Sequence, residues 1–222
     1  MNVPQPEEHI WWLVSRASGL VALGLITVSV LLGLAMAAKL SRRPGLQAAL
    51  NKLHEQLTVA GLIAIGLHGV TLLGDPWLRP GLVGIIVPGV IDYRTAFVAA
   101  GIVGGYLAAL LGLSYYARKR IGGRRWRIAH RFVIAAWVLA VVHAVGAGTD
   151  TGLAVVRWPL AGSVVCVAVL LAMRIIGTRG SPRVQPGAPA EGRRVGHDDR
   201  SSGGSPAADR SVAEGGPAPG MA

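Results

Sequence analysis

The chain has 222 residues, 52% of them hydrophobic and 15% charged, with a mean hydropathy of +0.50 and a formal net charge of +11. Several unbroken apolar runs of spanning length exclude a soluble globular domain and predict an integral membrane protein. The basic excess lies between those runs and beyond the last of them, as the positive-inside rule requires. No basic helix is interleaved with aromatics, so nucleic acid is excluded as a partner.

In chain order, residues 1–10 (MNVPQPEEHI) are acidic and lack Lys and Arg, so they read as an extracytoplasmic N-terminus without a cleavable signal. Trp11 and Trp12 mark an interface, and Ala17 to Ala38 forms the first predicted span. Arg16 sits one turn inside it, either snorkelling to the surface or partnering an anionic group. A linker from Lys39 to Lys52 holds Lys39, Arg42, Arg43 and Lys52, with a break at Pro44-Gly45. The second span is Leu53 to Leu73, ended by Gly74-Asp75-Pro76. Residues 75–94 follow as a loop whose apolar centre is too short to cross, which predicts an interfacial or re-entrant cap.

The third span, Thr95 to Tyr116, carries Gly101, Gly105, Ala108 and Gly112 on a small-residue stripe. Such a stripe allows close helix packing and equally leaves room for a flat macrocycle. After the basic turn RKRIGGRRWR comes the fourth span, Ile128 to Ala147, and after a short loop Pro159 opens the fifth, which ends near Ile176. Residues 178–222 are Gly, Pro, Ser, Ala and mixed charge, and are expected to form a disordered tail. The one cysteine, Cys166, lies in an apolar run as a small packing residue; there is no CxxCH for covalent haem attachment and no glycine-rich nucleotide cradle.

Orientation follows from Lys and Arg. The segments 39–52 and 117–127 carry four and six, whereas 1–10 carries none, 75–94 two and 148–157 one. The N-terminus is therefore expected outside, the tail in the cytoplasm, and spans two and four parallel.

Four of the six histidines fall inside those two parallel spans: His54 and His68 in the second, His130 and His143 in the fourth. An imidazole in hydrocarbon needs a partner, so such residues point to function. Two on each of two helices make the ligand set for two six-coordinate haem irons, His54 with His130 at the inner face and His68 with His143 at the outer. Fourteen residues of helix rise about 21 Å and return to within about 40° of the starting face. Thirteen rise about 19.5 Å but end about 140° away, so the fourth helix must be locally distorted or its rings must approach from different sides. A zinc site is poorly served, because no Cys, Asp or Glu shares the depth of both members of a pair. A proton relay in a haem-free proton or metal transporter is the competing reading.

The segments HEQLTVAGLIAIGLH and HRFVIAAWVLAVVH resemble the haem-binding helices of the ferric reductase-like transmembrane family, which includes ferric reductases, NADPH oxidases and the haem subunit of a methionine sulfoxide reductase system. SRASGLVAL, LLGDPW, WRIAHR and HAVGAGTDT extend the resemblance over roughly residues 11–176. It implies an all-α polytopic bundle of about five helices at 11–177, binding two non-covalent b-type haems. Family members commonly carry six helices with ligands on the third and fifth, so on that resemblance one N-terminal helix is expected to be absent here. The flavin and nicotinamide domains of the full-length enzymes are likewise expected to be absent. The donor is then a separate flavoprotein or a membrane quinol, and the acceptor is extracytoplasmic: a ferric substrate or a separate reductase.

Haem propionates need cations or donors near a membrane face. The inner candidates are Arg124, Arg125, Arg127 and Arg131, and the outer ones Arg16, Arg94 and Arg157; topology alone equally explains the inner group. Thr149 and Asp150, close after the outer histidine, are candidates for contact with an acceptor.

Overall fold

A chain with no water around it must satisfy its backbone within each segment, which leaves helices as the spanning element. The computed structural model describes residues 6–38 and 43–179, and helix is the only regular structure among them. Five segments are long and apolar enough to cross a membrane: Ile10–Ala37, Gly45–Gly74, Thr95–Leu113, Gly123–Ala147 and Ala154–Ile176. The protein is a helical bundle of the multi-pass membrane type.

Helix α1 runs Pro6–Ala37, starting well before the expected Ala17 because nothing after Pro6 breaks it. Helix α2, Pro44–Thr71, also starts earlier than expected. Pro44 lacks an N–H, but a first-turn N–H has no intrahelical acceptor anyway, so this proline begins the helix where a break was expected. Lys39 and Arg42 of that linker lie outside the described residues, as does nearly all of the expected disordered tail. A single 3-10 turn, Leu72–Gly74, ends the second span. Asp75, 5% exposed, then accepts the backbone N–H groups of Trp77 and Leu78 at 2.8 and 3.2 Å.

Residues 75–94 form a cap containing α3, Gly81–Ile86, whose six residues rise only about 9 Å and cannot cross. Tyr106 on α4 (Thr95–Leu113) donates its hydroxyl to the Ile86 carbonyl at 2.6 Å and holds the cap down. The basic turn is helical too, as α5 (Arg118–Ile121) and α6 (Gly123–His130). A turn at Arg131–Phe132 separates α6 from α7, Val133–Ala147. After a 3-10 turn at Asp150–Gly152, α8 spans Ala154–Arg179. Pro159 is inside α8 and does not open it, and α8 continues through Thr178 and Arg179, the first two residues of the expected tail.

The long helices close into a ring: α1 packs on α2, α2 on α4, α4 on α7, and α7 on α1, with α8 laid against α1. Helix α2, with His54 and His68, and helix α7, with His143 and with His130 just before it at the end of α6, are therefore diagonal across the bundle. Helix α1 presents Ala22, Ile26, Val30 and Leu34, spaced by four, as a buried stripe. Ile26, Val30 and Leu34 form one cluster with Trp137 of α7 and Val167 of α8. Trp137 is 3% exposed and donates its indole N–H to the Thr27 hydroxyl at 2.9 Å. The outward faces are apolar instead, with Ile63 and Leu110 each 68% exposed, a surface suited to lipid.

Thr27→Val keeps the shape and removes the acceptor for a buried indole N–H. A loss of about 1 kcal/mol is expected in a reversible mixed-micelle unfolding titration. An unchanged midpoint would mean that this bond does not hold α7 against α1.

Candidate functional site

The ring of helices brings the four histidines together in two pairs. The His54 and His130 rings lie 6.2 Å apart, centroid to centroid, with planes at 87°. The His68 and His143 rings lie 6.1 Å apart at 71°. These two contacts make α2 parallel to the α6–α7 segment and keep the pairs at separate depths.

What orients each ring is the nitrogen that faces a neighbouring helix. His54 Nδ1 lies 2.8 Å from the Ser29 carbonyl, His68 Nδ1 2.8 Å from the Ser15 carbonyl, and His143 Nδ1 2.9 Å from the Phe97 carbonyl. A carbonyl can only accept, so in all three rings Nδ1 carries the proton and Nε2 holds the free lone pair. His130 Nδ1 is buried without a hydrogen bond of normal geometry, beside the Leu111 carbonyl. Its ring is instead stacked on Trp126, at 4.9 Å and 24°. None of the four Nε2 atoms has a hydrogen-bond partner among the described residues, and no hydrogen bond joins the two rings of either pair.

A helix carbonyl already bonded along its own helix can accept a second proton only if the turn above it is bare. The residue four positions on is glycine at three of these carbonyls: Gly19 after Ser15, Gly33 after Ser29, and Gly101 after Phe97. A Cβ at Gly19 would stand 2.9 Å from His68 Nδ1, and one at Gly101 2.5 Å from His143 Nδ1; at Gly33 it would stand 3.3 Å from His54 Cε1. Gly101 was legible as part of a small-residue stripe. The SxxxG motif written twice on α1, fourteen residues apart like His54 and His68, was missed although both spacings are plain in the sequence.

Thirteen residues on the fourth span match fourteen on its neighbours because the helix overwinds just after His130. Arg131, Phe132 and Ile134 bond three residues back, to Ile128, Ala129 and Arg131, before Ala136 resumes the four-residue pattern with Phe132. Each such step adds about 20° of turn and about 0.5 Å of rise. Three steps lift the rise from about 19.5 to about 21 Å and cut the phase error from about 140° to about 80°. The expected distortion is present, and it needs no proline.

The chemistry of the donor set is specific. A metal–imidazole bond of about 2.0–2.1 Å plus roughly 1 Å to the ring centre puts two rings sharing a metal in line about 6 Å apart. Among the described residues no group of three or more His, Cys, Asp or Glu side chains gathers anywhere. Each pair thus offers two imidazoles and no third His, Cys, Asp or Glu among the described residues, which fits a metal that arrives already held by other ligands. The diagonal placement of α2 and α7 fits as well, since the ligand helices meet through rings and not through packed backbones.

The arginines divide. Arg16 is ion-paired with Asp150, its Nε donating to Asp150 Oδ2 at 2.9 Å, and lies over the Trp12 ring at 3.9 Å. Arg94, in the left-handed region at φ 43°, donates to the Gly146 carbonyl at the end of α7. Two of the three outer candidates, and Asp150 with them, are thus engaged by the protein itself. Arg157 lies over Trp158. At the other end Arg124, Arg125, Arg127 and Arg131 are exposed and form no ion pair among the described residues.

The pairing is testable without any cofactor. In a Cys166→Ala background, double cysteine variants at 54/130 and at 68/143 should be bridged by a short bifunctional thiol reagent, and 54/143 should not, being about 20 Å apart along the bundle. Bridging of 54/143 would put the helices in another register. Compared with protein-family models, with curated proteins and with solved structures, the chain shows no significant match.

Proposed function

We propose that this protein is a dihaem membrane electron-transfer protein, ferric-reductase-like, in which His54 and His130 would hold the iron of one b-type haem and His68 and His143 that of the other. The single observation that carries this reading is the pair of crossed imidazoles, repeated at two depths, with the ring separation one shared metal requires and no third protein ligand. Bound haem supplies one-electron redox chemistry at each depth. The residues do the rest: carbonyls of α1 and α4 hold the Nδ1 protons, which keeps Nε2 basic and unprotonated for the metal. Stacked glycines let those carbonyls be reached.

A relay of protons along the histidines is disfavoured by the same bonds. Three of the Nδ1–H groups are committed to carbonyls, and no ring is hydrogen-bonded to its partner. The basic end, with Arg127 and Arg131 free, is assigned to the cytoplasm by the positive-inside rule and to the propionates of the His54–His130 haem. A flavoprotein or quinol would supply electrons there, and an acceptor outside, a ferric substrate or a separate reductase, would take them at the His68–His143 end.

Purified protein should contain two acid-extractable b haems per chain, giving low-spin ferric signals of strong anisotropy because the paired planes are crossed. Ala at His68 or His143 should leave one haem per chain and abolish reduction of an external ferric chelate; Ala at His54 or His130 should remove the other. Protein free of haem after expression with haem supply, or variants that all lose both haems together, would overturn the proposal. Orientation has its own check: a reporter after Ile176 should be cytoplasmic and one at the N-terminus external.

A further inference from the structure

Helix α1 contributes no ligand, yet Ser15 and Ser29, each 2% exposed, are buried against the two histidines of α2. Both serines touch their ring twice. Ser15 offers its carbonyl to His68 Nδ1 at 2.8 Å and its hydroxyl oxygen at 3.1 Å, while the hydroxyl proton goes to the His68 carbonyl at 3.2 Å. Ser29 offers its carbonyl to His54 Nδ1 at 2.8 Å and its hydroxyl oxygen at 2.9 Å. We propose that α1 is the tuning helix of the molecule: Ser15 and Ser29 are positioning residues that set, one site each, the reduction potentials of the His68–His143 and His54–His130 centres. This rests on the dihaem reading.

The reason lies in the imidazole. Oxygen lone pairs on Nδ1–H draw its proton outward and give the ring partial imidazolate character, so Nε2 becomes a stronger donor and stabilises the oxidised metal. The α2 histidines each face two oxygens on α1. Their partners are weaker: His143 has one carbonyl, and His130 has no hydrogen bond of normal geometry. Within each pair, therefore, the more strongly supported ring is the one that faces α1.

The two serines are not equivalent. The Thr58 hydroxyl donates to the His54 carbonyl at 2.8 Å, and Thr58 has a single hydroxyl proton, so at the 2.7 Å contact between the two hydroxyls Ser29 is the donor, its oxygen standing a longer 3.4 Å from the His54 carbonyl. A hydroxyl that donates is polarised and accepts more strongly, so the chain Ser29, Thr58, His54 carbonyl strengthens the Ser29 oxygen toward His54 Nδ1–H. At the other site Ser15 donates to the His68 carbonyl alone, and Thr71 donates to the Leu67 and His68 carbonyls and does not reach Ser15. Ser29 therefore heads a chain of two bonds and Ser15 a single bond, so losing the Ser29 hydroxyl shifts its centre more than losing the Ser15 hydroxyl shifts the other.

The test is a potentiometric titration of purified protein and its variants, with haem content measured on each sample. Ser29→Ala should raise only the potential of the His54–His130 centre, Ser15→Ala only that of the His68–His143 centre and by less, and Thr58→Val should raise that of the His54–His130 centre without touching a ring. The one-haem Ala variants at His68 and His54 show which potential belongs to which centre. Ser→Thr at either site, which keeps the hydroxyl, should restore the parent value. Two haems per chain with both potentials unmoved in all three hydroxyl-deletion variants would overturn the tuning role and leave the dihaem reading standing. Parent protein that binds no haem would sink that reading, and the tuning role with it. If Ser29→Ala loses its haem outright, the shift in Thr58→Val decides: a rise in the potential of the His54–His130 centre supports the relay, and none rejects it.

Discussion

An imidazole N–H in hydrocarbon has no water to bond, and the only abundant acceptors nearby are carbonyls already used along neighbouring helices. Each carbonyl oxygen has a second lone pair, and reaching it requires that the helix surface one turn on be bare. Much of the bundle follows from meeting that requirement. Ser15 with Gly19 and Ser29 with Gly33 fix α1 antiparallel to α2 in one register, and Phe97 with Gly101 does the same for α4 and α7. Sliding either helix pair by one turn would leave buried N–H groups without acceptors. That is worth more, per contact, than the near-neutral exchange of lipid for leucine that apolar packing provides here.

The same constraint explains the unequal histidine spacing. Phe97 and Leu111, the carbonyls beside His143 and His130, are fourteen residues apart on a regular helix. Thirteen residues of regular helix would fall about 1.5 Å short of that span. The 3-10 steps at Arg131–Ile134 make up the difference, at the cost of poorer hydrogen bonds just after His130. Mismatch is concentrated at that end: the unpaired His130 Nδ1 and Trp126 Nε1 are both there, and Tyr115 stands where the other α4 seat has Gly101. Trp126, stacked on His130 and met edge-on by Tyr115, takes over the role that glycine and carbonyl play elsewhere.

Spans and the pairing of the histidines were legible because both are long-range periodic signals: runs of apolar residues, and histidines thirteen and fourteen residues apart on parallel helices. Element ends were less legible. Pro44 and Pro159 have opposite effects, one beginning a helix at its first turn and the other lying within one, and composition alone does not separate them. The supporting residues on α1 were illegible for a different reason. Serine and glycine in an apolar helix read as generic packing, and only the partner helix shows that they are seats. Arg16 and Arg94 had the charge expected of anion partners, but Asp150 and the Gly146 carbonyl come near them only after folding.

Between the two histidine layers the bundle is closed by carbon. Gly61 lies midway between His54 and His68, and the Ile26 side chain covers it so closely that a Cβ there would meet Ile26 Cδ1 at 2.6 Å. From the opposite side Trp137, six and seven residues from His143 and His130, fills the same level and is pinned to Thr27. This plug shares no hydrogen bond with either histidine pair. The polar networks at the two ends are therefore separate, each with its own serine, its own carbonyls and its own glycines. A change at one end has no hydrogen-bonded route to the other, so the surroundings of the two histidine pairs can be altered independently.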